Sequence, residues 1–530
     1  RLLGAIDSAV AGPTDGDVAR LQRAWQAERV LTGQRRHYAA VFYGEALATA
    51  REGLAESVDP PMVGPDAVRA TAALVLPNEP IRRRAAWIGS GGPTERTALP
   101  KANETESMQM TTVFDEGPFG SRVTTLPNGL VLGILPEAGG EVFGVHLLVA
   151  DRSLREPEDL PGIADFMHRL LPAGTSVSGS REIKRRLERA GIELKPADSA
   201  MIPFDDRYHV PDFSYARFEG PAQSLETALE MLAEMIRQPQ WDPEGVQAAA
   251  IGHQQSRAAG NRGGSLASLK LYTALLGPDH PLARPVSGPE GETPDQARAE
   301  EVWGSWPNGY FAANRIILTV ASPLPVEQTV EIVEDLFGGG ESTPKRGPYP
   351  KAQSTEVVAG EGDAPQVTML WGHRLNVEPE ERAAFLVAVN ALSDRMLAVI
   401  REQEGLAYRL GAGVRYLPGN ELLLSARVGT RPENQDRVSE LMQGIVENLK
   451  AETLTTEELV RFAARDRRSR MLRGLSAASR AYRLGRAIFE GEGSPLLVSS
   501  AERAAVTPTE VQNAAKKYLN LNDMELVIVR

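Results

Sequence analysis

The chain has no cysteine among its 530 residues. Disulfides, thiolate metal sites and cysteine nucleophiles are therefore excluded. The compartment is not, because an exported protein without disulfides and a cytoplasmic one read alike. An excess of positive charge is also missing. Lys and Arg number 58 against 70 Asp and Glu, a formal net charge of −12. That balance argues against a general nucleic-acid binder, which needs a basic face to neutralise phosphates. Apolar runs such as Ile316–Ala321 are strand-sized. None reaches the roughly 18 residues of a membrane span. The chain opens on Arg1 with no signal-peptide pattern, and Arg1–Val10 read as the middle of a helix. The expectation is a piece or processed product of a longer protein.

Apolar residues make up 42% and charged residues 24%, ordinary for a globular chain of about three units. An internal repeat organises it. Val63-Gly-Pro-Asp-Ala-Val68 matches Val506-Thr-Pro-Thr-Glu-Val511, each a Pro-containing turn leading into a short amphipathic helix and then a strand-like run. Upstream, Thr14-Asp-Gly-Asp-Val18 and Thr456-Glu-Glu-Leu459 read as caps of long charged helices at nearly equal distance from these turns. Residues 1–92 then form the tail of a domain whose front half precedes Arg1, with a linker over 93–110. Further units cover 111–340 and 356–530, joined by a Gly/Pro-rich linker over 341–355.

Strands are predicted at Leu130–Leu135 and Val142–Val149, paired through a turn at Glu137–Gly140. Further strands fall at Asn314–Ala321, Val367–Trp371 and Glu421–Val428. Helices fall at Arg181–Ala190, closed by Gly191, and at Leu225–Arg237 and Val326–Phe337. The fold class is α+β: repeated domains, each a mixed or antiparallel sheet with helices packed on one face.

Several segments together resemble the insulinase/pitrilysin family of zinc metallopeptidases. Val123-Thr-Thr-Leu-Pro-Asn-Gly-Leu-Val resembles the strand that opens a family domain. Gly162-Ile-Ala-Asp165-Phe-Met-His168-Arg169 through Gly174-Thr175 resembles the zinc helix, typically GxAHxxEHxxFxGT. Arg315 and Leu336-Phe337-Gly338 resemble that domain's closing strand and helix. Ser393-Asp-Arg395 through Arg401-Glu-Gln-Glu-Gly405-Leu-Ala-Tyr408 resembles the family's Arg/Tyr segment.

The resemblance makes the departures informative. The inverzincin motif HxxEH sets two histidine ligands one helical turn apart, with a glutamate as base. Here those positions read Asp165, His168 and Arg169. Asp165 could ligate. Arg169 could not, being permanently protonated and without a lone pair. The stretch Val246–Arg257, where the third ligand belongs, has no acidic residue. One reading is an Asp165–Arg169 ion pair at i and i+4 on a site that no longer takes metal. The other is a rearranged site using Asp165, His168, His253 and Glu244. His37, His146, His209, His280 and His373 show no paired spacing and read as satisfied structural residues. Gly338-Gly-Gly340 does not stand as a phosphate loop does, and no GxSxG elbow is present.

What the resemblance implies is a four-domain zinc endopeptidase that encloses peptides in a chamber. This chain would be its C-terminal, non-metal-binding portion. No metal or catalytic base is expected in these residues, and zinc is expected in a missing N-terminal domain. Arg401 and Tyr408 would contact substrate across the chamber, donating to a peptide carbonyl or developing oxyanion. The alternatives are an inactive pseudo-peptidase that binds peptide and completes another subunit's chamber, or a scaffold. The expected partners are a peptide and an N-terminal half or second peptidase-family subunit, with no nucleic acid and no membrane span. Gly at 49 and Pro at 37 residues, with abundant Ala and Arg, point to a GC-rich bacterial source. Exported relatives make the periplasm the expected compartment, otherwise the cytoplasm.

Overall fold

A computed structural model of the chain describes residues 114–530, apart from 138–139, 200–209, 290–299, 301–309, 340–341, 343–349, 352–365 and 418–419. The expected 1–92 unit with its half of the repeat, the 93–110 linker, most of the 341–355 linker, His37 and His209 lie outside these residues.

The first sheet is built from β1 (Asp115–Glu116), β2 (Arg122–Thr125), β3 (Val131–Pro136), β4 (Val142–Ala150), β5 (Glu193–Lys195), β6 (Phe213–Pro221) and β7 (Ile316–Ser322). Around it run α1 (Ile163–Leu170), α2 (Ser180–Ala190), α3 (Leu225–Arg237), α4 (Pro243–Gly260), α5 (Gly263–Leu276) and α6 (Val326–Phe337). The strand order is β1-β2-β3-β7-β4-β6-β5, with β3 and β7 parallel and the other pairs antiparallel. The expected direct pairing of β3 with β4 does not occur, because β7 lies between them. All of β7 is buried, as expected of a central strand in a sheet covered on both faces.

The second sheet holds β8 (Val367–Leu375), β9 (Arg409–Leu417), β10 (Glu421–Thr430) and β11 (Glu525–Val529) in the antiparallel order β11-β8-β10-β9. Its helices are α7 (Arg382–Met396), extended by a π-helical turn at Leu397–Gln403, α8 (Gln435–Ala451), α9 (Thr456–Arg473), α10 (Ala477–Glu490) and α11 (Pro508–Tyr518). The cap of α9 is Thr455, one residue before the predicted one. Its side chain and that of Glu458 satisfy each other's backbone N–H in a capping box, repeated at Thr507 and Glu510 for α11. The stretch Pro379–Gln403 is long and apolar enough to cross a bilayer, yet α7 is packed in the core of the second unit.

Mixed sheets with helices on one face were expected, and each sheet does cover one face with its own helices. Leu229, Leu232, Val330 and Val333 pack on the first sheet; Phe385, Leu392, Val438 and Val446 pack on the second. The opposite faces are covered by exchange. Helix α10, from the C-terminal half, lays Ala477, Ala481 and Leu484 on Leu135, Val142 and Ala321 of the first sheet. Helix α5, from the N-terminal half, lays Ala267 and Leu271 on Leu370, Leu423, Val527 and Val529 of the second. The approach is closest at Gly144, where a Cβ would lie 2.2 Å from the backbone N of Ala478. Only glycine fits beneath that helix.

His146 sits at this junction. Its ring stacks on Tyr215 at 5.6 Å and meets Tyr482 of α10 edge-on at 5.1 Å. Contrary to expectation, neither ring nitrogen has a hydrogen-bond partner among the described residues. Burial, then the charges of Arg217 and Arg486, push its pKa down to about 3. The unfolded chain takes up this proton near pH 6.5, whereas the fold excludes it until about pH 3. The contribution is therefore intact above pH ~6.5 and lost as pH falls toward 3, by up to about 1.4 kcal/mol per pH unit. Urea denaturation between pH 7 and 4 should show this loss, and His146→Leu should flatten it. An unchanged slope in the variant would contradict the assignment.

Candidate functional site

Helix α1 starts abruptly because Gly162 takes φ 87° and leaves no room for a side chain, a Cβ there lying 2.0 Å from the backbone N of Gly288. The buried Glu156 carboxylate satisfies the first turn, accepting from Gly162 N at 2.9 Å and Ala164 N at 3.1 Å. Arg152 neutralises Glu156 at 3.2 Å with both side chains buried. The helix is thereby fixed at its positive end.

Asp165 and Arg169 lie on one face of α1. Arg169 Nε donates to Asp165 Oδ2 at 2.9 Å, and a terminal nitrogen donates to Oδ1 at 3.2 Å. That nitrogen also donates to Ser256 Oγ and to the Asp198 carbonyl, each at 2.7 Å. His253 comes from α4, its Nδ1 2.8 Å from Asp165 Oδ2 and its ring fully buried. Gly252 beside it leaves room for the guanidinium, with the position of a Cβ only 2.8 Å from Arg169 NH1. The two ligand positions of the motif, 165 and 169, and a residue of the third-ligand stretch thus converge. What they converge on is the Asp165 carboxylate, with a guanidinium beside it in place of an ion.

His168 and Glu244 do not join them. The ring of His168 packs edge-on against Tyr310 at 5.7 Å and against Phe311 at 5.3 Å. Glu244 pairs with Arg181 at the half-exposed start of α4. The rearranged set of Asp165, His168, His253 and Glu244 is therefore not assembled. Zinc does not fit the residues present: Arg169, its side chain 11% exposed, brings a fixed positive charge and no lone pair to the place of a ligand. The sequence could show Asp165, Arg169 and His253. It could not show the Asp198 carbonyl, because a backbone acceptor has no residue-type signal.

Arg401 and Tyr408 form a second group, on the second sheet. Arg401 lies in the π-helical turn, and Gly405 at φ 66° reverses the chain so that Leu406 N returns to Ile400 O at 2.9 Å. The reversal brings Arg401 Cζ to 5.0 Å from the Tyr408 ring centre, with Tyr408 78% exposed. Glu404, the nearest acidic candidate in sequence after Glu402, pairs with Arg437 instead. Arg401 has no ion pair among the described residues. Exposed side by side, a guanidinium and a phenol can donate to carbonyl oxygens.

The sequence pattern described as "Insulinase (Peptidase family M16)" matches residues 138–290, and that described as "Peptidase M16 inactive domain" matches 307–464. The chain is 22% identical over 371 residues to the "Uncharacterized zinc protease YmxG" of Bacillus subtilis (strain 168), covering 68% of this chain and 86% of that protein. Among solved structures, a peptidase M16 inactive domain from Pseudomonas fluorescens superposes with TM-score 0.64 at 18% identity, covering 78% of this chain and 98% of that one. The periplasmic protease PqqL from Escherichia coli gives 0.62 at 14% identity, over 88% of this chain and 50% of that one. At these identities the solved structures speak for the fold alone.

The Asp165–Arg169 pair is buried, so removing one partner strands the other's charge. Asp165→Asn should destabilise the chain by about 3 kcal/mol or more in urea, and adding Arg169→Met should restore most of that loss. A single variant as stable as the parent would show that the pair is not the centre of this cluster.

Proposed function

The chain belongs to the insulinase family of peptidases, peptidase family M16, and from that premise we propose that it is the non-metal-binding portion of a zinc endopeptidase. It helps to enclose peptides in a chamber whose zinc is held by a peptidase domain outside these residues. The observation that carries the proposal is Arg169, whose Nε and one terminal nitrogen donate to Asp165, Ser256 and the Asp198 carbonyl where the family motif sets a ligand. A site already satisfied by a covalently attached cation has no use for a free one. Arg401 and Tyr408 have no such partners among the described residues, and both are exposed. In this reading they donate hydrogen bonds to carbonyl oxygens of an extended peptide and, at the zinc domain, to the developing oxyanion.

The likeness to PqqL, half of whose length this chain spans, supports a zinc domain carried on the same polypeptide. The 86% coverage of YmxG supports a second reading, in which the chain is a pseudo-peptidase subunit that completes a separate partner's chamber. PqqL being a periplasmic protease supports a periplasmic location.

Elemental analysis of the 530-residue chain, loaded with Zn²⁺ and gel-filtered, should find far less than the roughly one ion per chain of a true site. Stoichiometric zinc would end the proposal. Replacing Arg401 by Ala and Tyr408 by Phe should weaken binding of an unfolded peptide by about tenfold or more, and unchanged affinity would remove these residues from the site. Cleavage by the gene product that includes sequence before Arg1 supports the first reading. Cleavage only after mixing with a second family subunit supports the other.

A further inference from the structure

A cavity of about 460 Å³ lies within the C-terminal half, away from the Arg169 cluster, walled by α7, β9, α9, α10 and the segment around Pro495. Arginines dominate its lining: Arg465, Arg470, Arg473, Arg483, Arg486 and Arg503. The carboxylates set against them are few. Arg465 pairs with Asp394 at 3.0 Å, and Arg486 pairs with Glu490. Arg470 and Arg503 share Asp466, at 2.8 and 3.1 Å. Arg473 and Arg483 have no ion pair among the described residues. Arg483 instead lies over the ring of Phe119 at 4.8 Å. Apolar side chains, Leu386, Val389 and Phe462 among them, close the remaining wall.

The arrangement is costly without a guest. Burial and the neighbouring charges of Arg470 and Arg473 push Arg503 down to about 10 and lower Arg483 as well. Arg503 Nε is buried with no hydrogen-bond partner among the described residues. Like charges held this close in a partly dry pocket repel, and a bound anion relieves the repulsion while using donors already in place. Guanidinium forks match phosphate oxygens in pairs, and the volume suits a small ligand.

We propose that this arginine-lined cavity binds a small polyvalent phosphate anion, with diphosphate as the unit recognised. The anion lies between α9, α10 and β9, and so ties the exchanged helix to the second sheet. The apolar wall leaves room for an organic group attached to the phosphates. Free diphosphate and a phosphorylated metabolite therefore share the site.

The test is calorimetric titration of the 530-residue chain with sodium pyrophosphate and, separately, with ATP, each against sodium chloride of matched ionic strength. Pyrophosphate should bind with one site and raise the Tm beyond the salt control. Replacing Arg473 and Arg483 together by Gln should cut the affinity at least tenfold; neither has an ion pair among the described residues, and circular dichroism checks that the variant folds. Replacing Arg467 and Arg468, exposed on the same helix α9 but outside the cavity, should change nothing. Tighter binding of ATP assigns the site to a phosphorylated metabolite, and equal or weaker binding assigns it to free diphosphate. Absence of binding overturns the proposal. So does equal loss in the two double variants, which would reduce the effect to general surface charge.

Discussion

Each of the two described sheets buries two faces, and the helices of its own half cover only one of them. That exchange governs the rest of the architecture. The first sheet borrows α10 and the second borrows α5, so the uncovered area is removed from water by a helix encoded in the other half. At roughly 25 cal/mol per Å² of apolar surface buried, covering a sheet face is a large stabilising contribution. The exchange also reaches the candidate site. Helix α4, which carries His253 and Ser256, runs almost directly into α5. The residues that hold Arg169 are thus anchored at one end by packing on the second sheet.

Against that scaffold, the Arg169 cluster joins two helices through side chains alone. In the family, ligands from two helices converge on an ion. Here a guanidinium and a histidine, one from each helix, meet the same aspartate, and a serine from the second helix accepts from the guanidinium. A divalent ion joins helices by coordination and can be exchanged or removed. A guanidinium joins them by directed hydrogen bonds, and it belongs to the chain. Buried ion pairs of this kind add little net stability over an apolar replacement, but they penalise misplacement strongly. The cluster is better understood as setting the relative position of α1 and α4 than as strengthening the fold.

How much of this was legible beforehand depended on range. Helices α3 and α6 read to the residue, because apolar spacing and flanking turns are local. Gly191 was readable as the end of α2, since a left-handed residue after a charged helix favours glycine. Asp165 and Arg169 were readable as a pair, because i and i+4 fix a shared face. The insertion of β7 between β3 and β4 was not, since strands far apart in sequence do not announce their order. Nor was the exchange of α5 and α10: periodicity shows that a helix has an apolar stripe, not which sheet receives it. His146 looked like an ordinary core histidine, and only the packed junction shows that it lies against aromatic rings with no hydrogen-bond partner among the described residues. The arginine cavity gathers residues from α9, α10 and the Arg503 segment, and in sequence these look like an ordinary charged surface.

The borrowed helices carry one more consequence. A segment that supplies its neighbour's wall is not a module in the usual sense: excised alone, either half would carry a bare sheet face outward and a stray helix with nothing to lie on. Any recombination, duplication or splice that treats the stretch around Gly338 as a joint therefore separates two things that fold as a couple. The smallest portable piece of this chain is both halves at once.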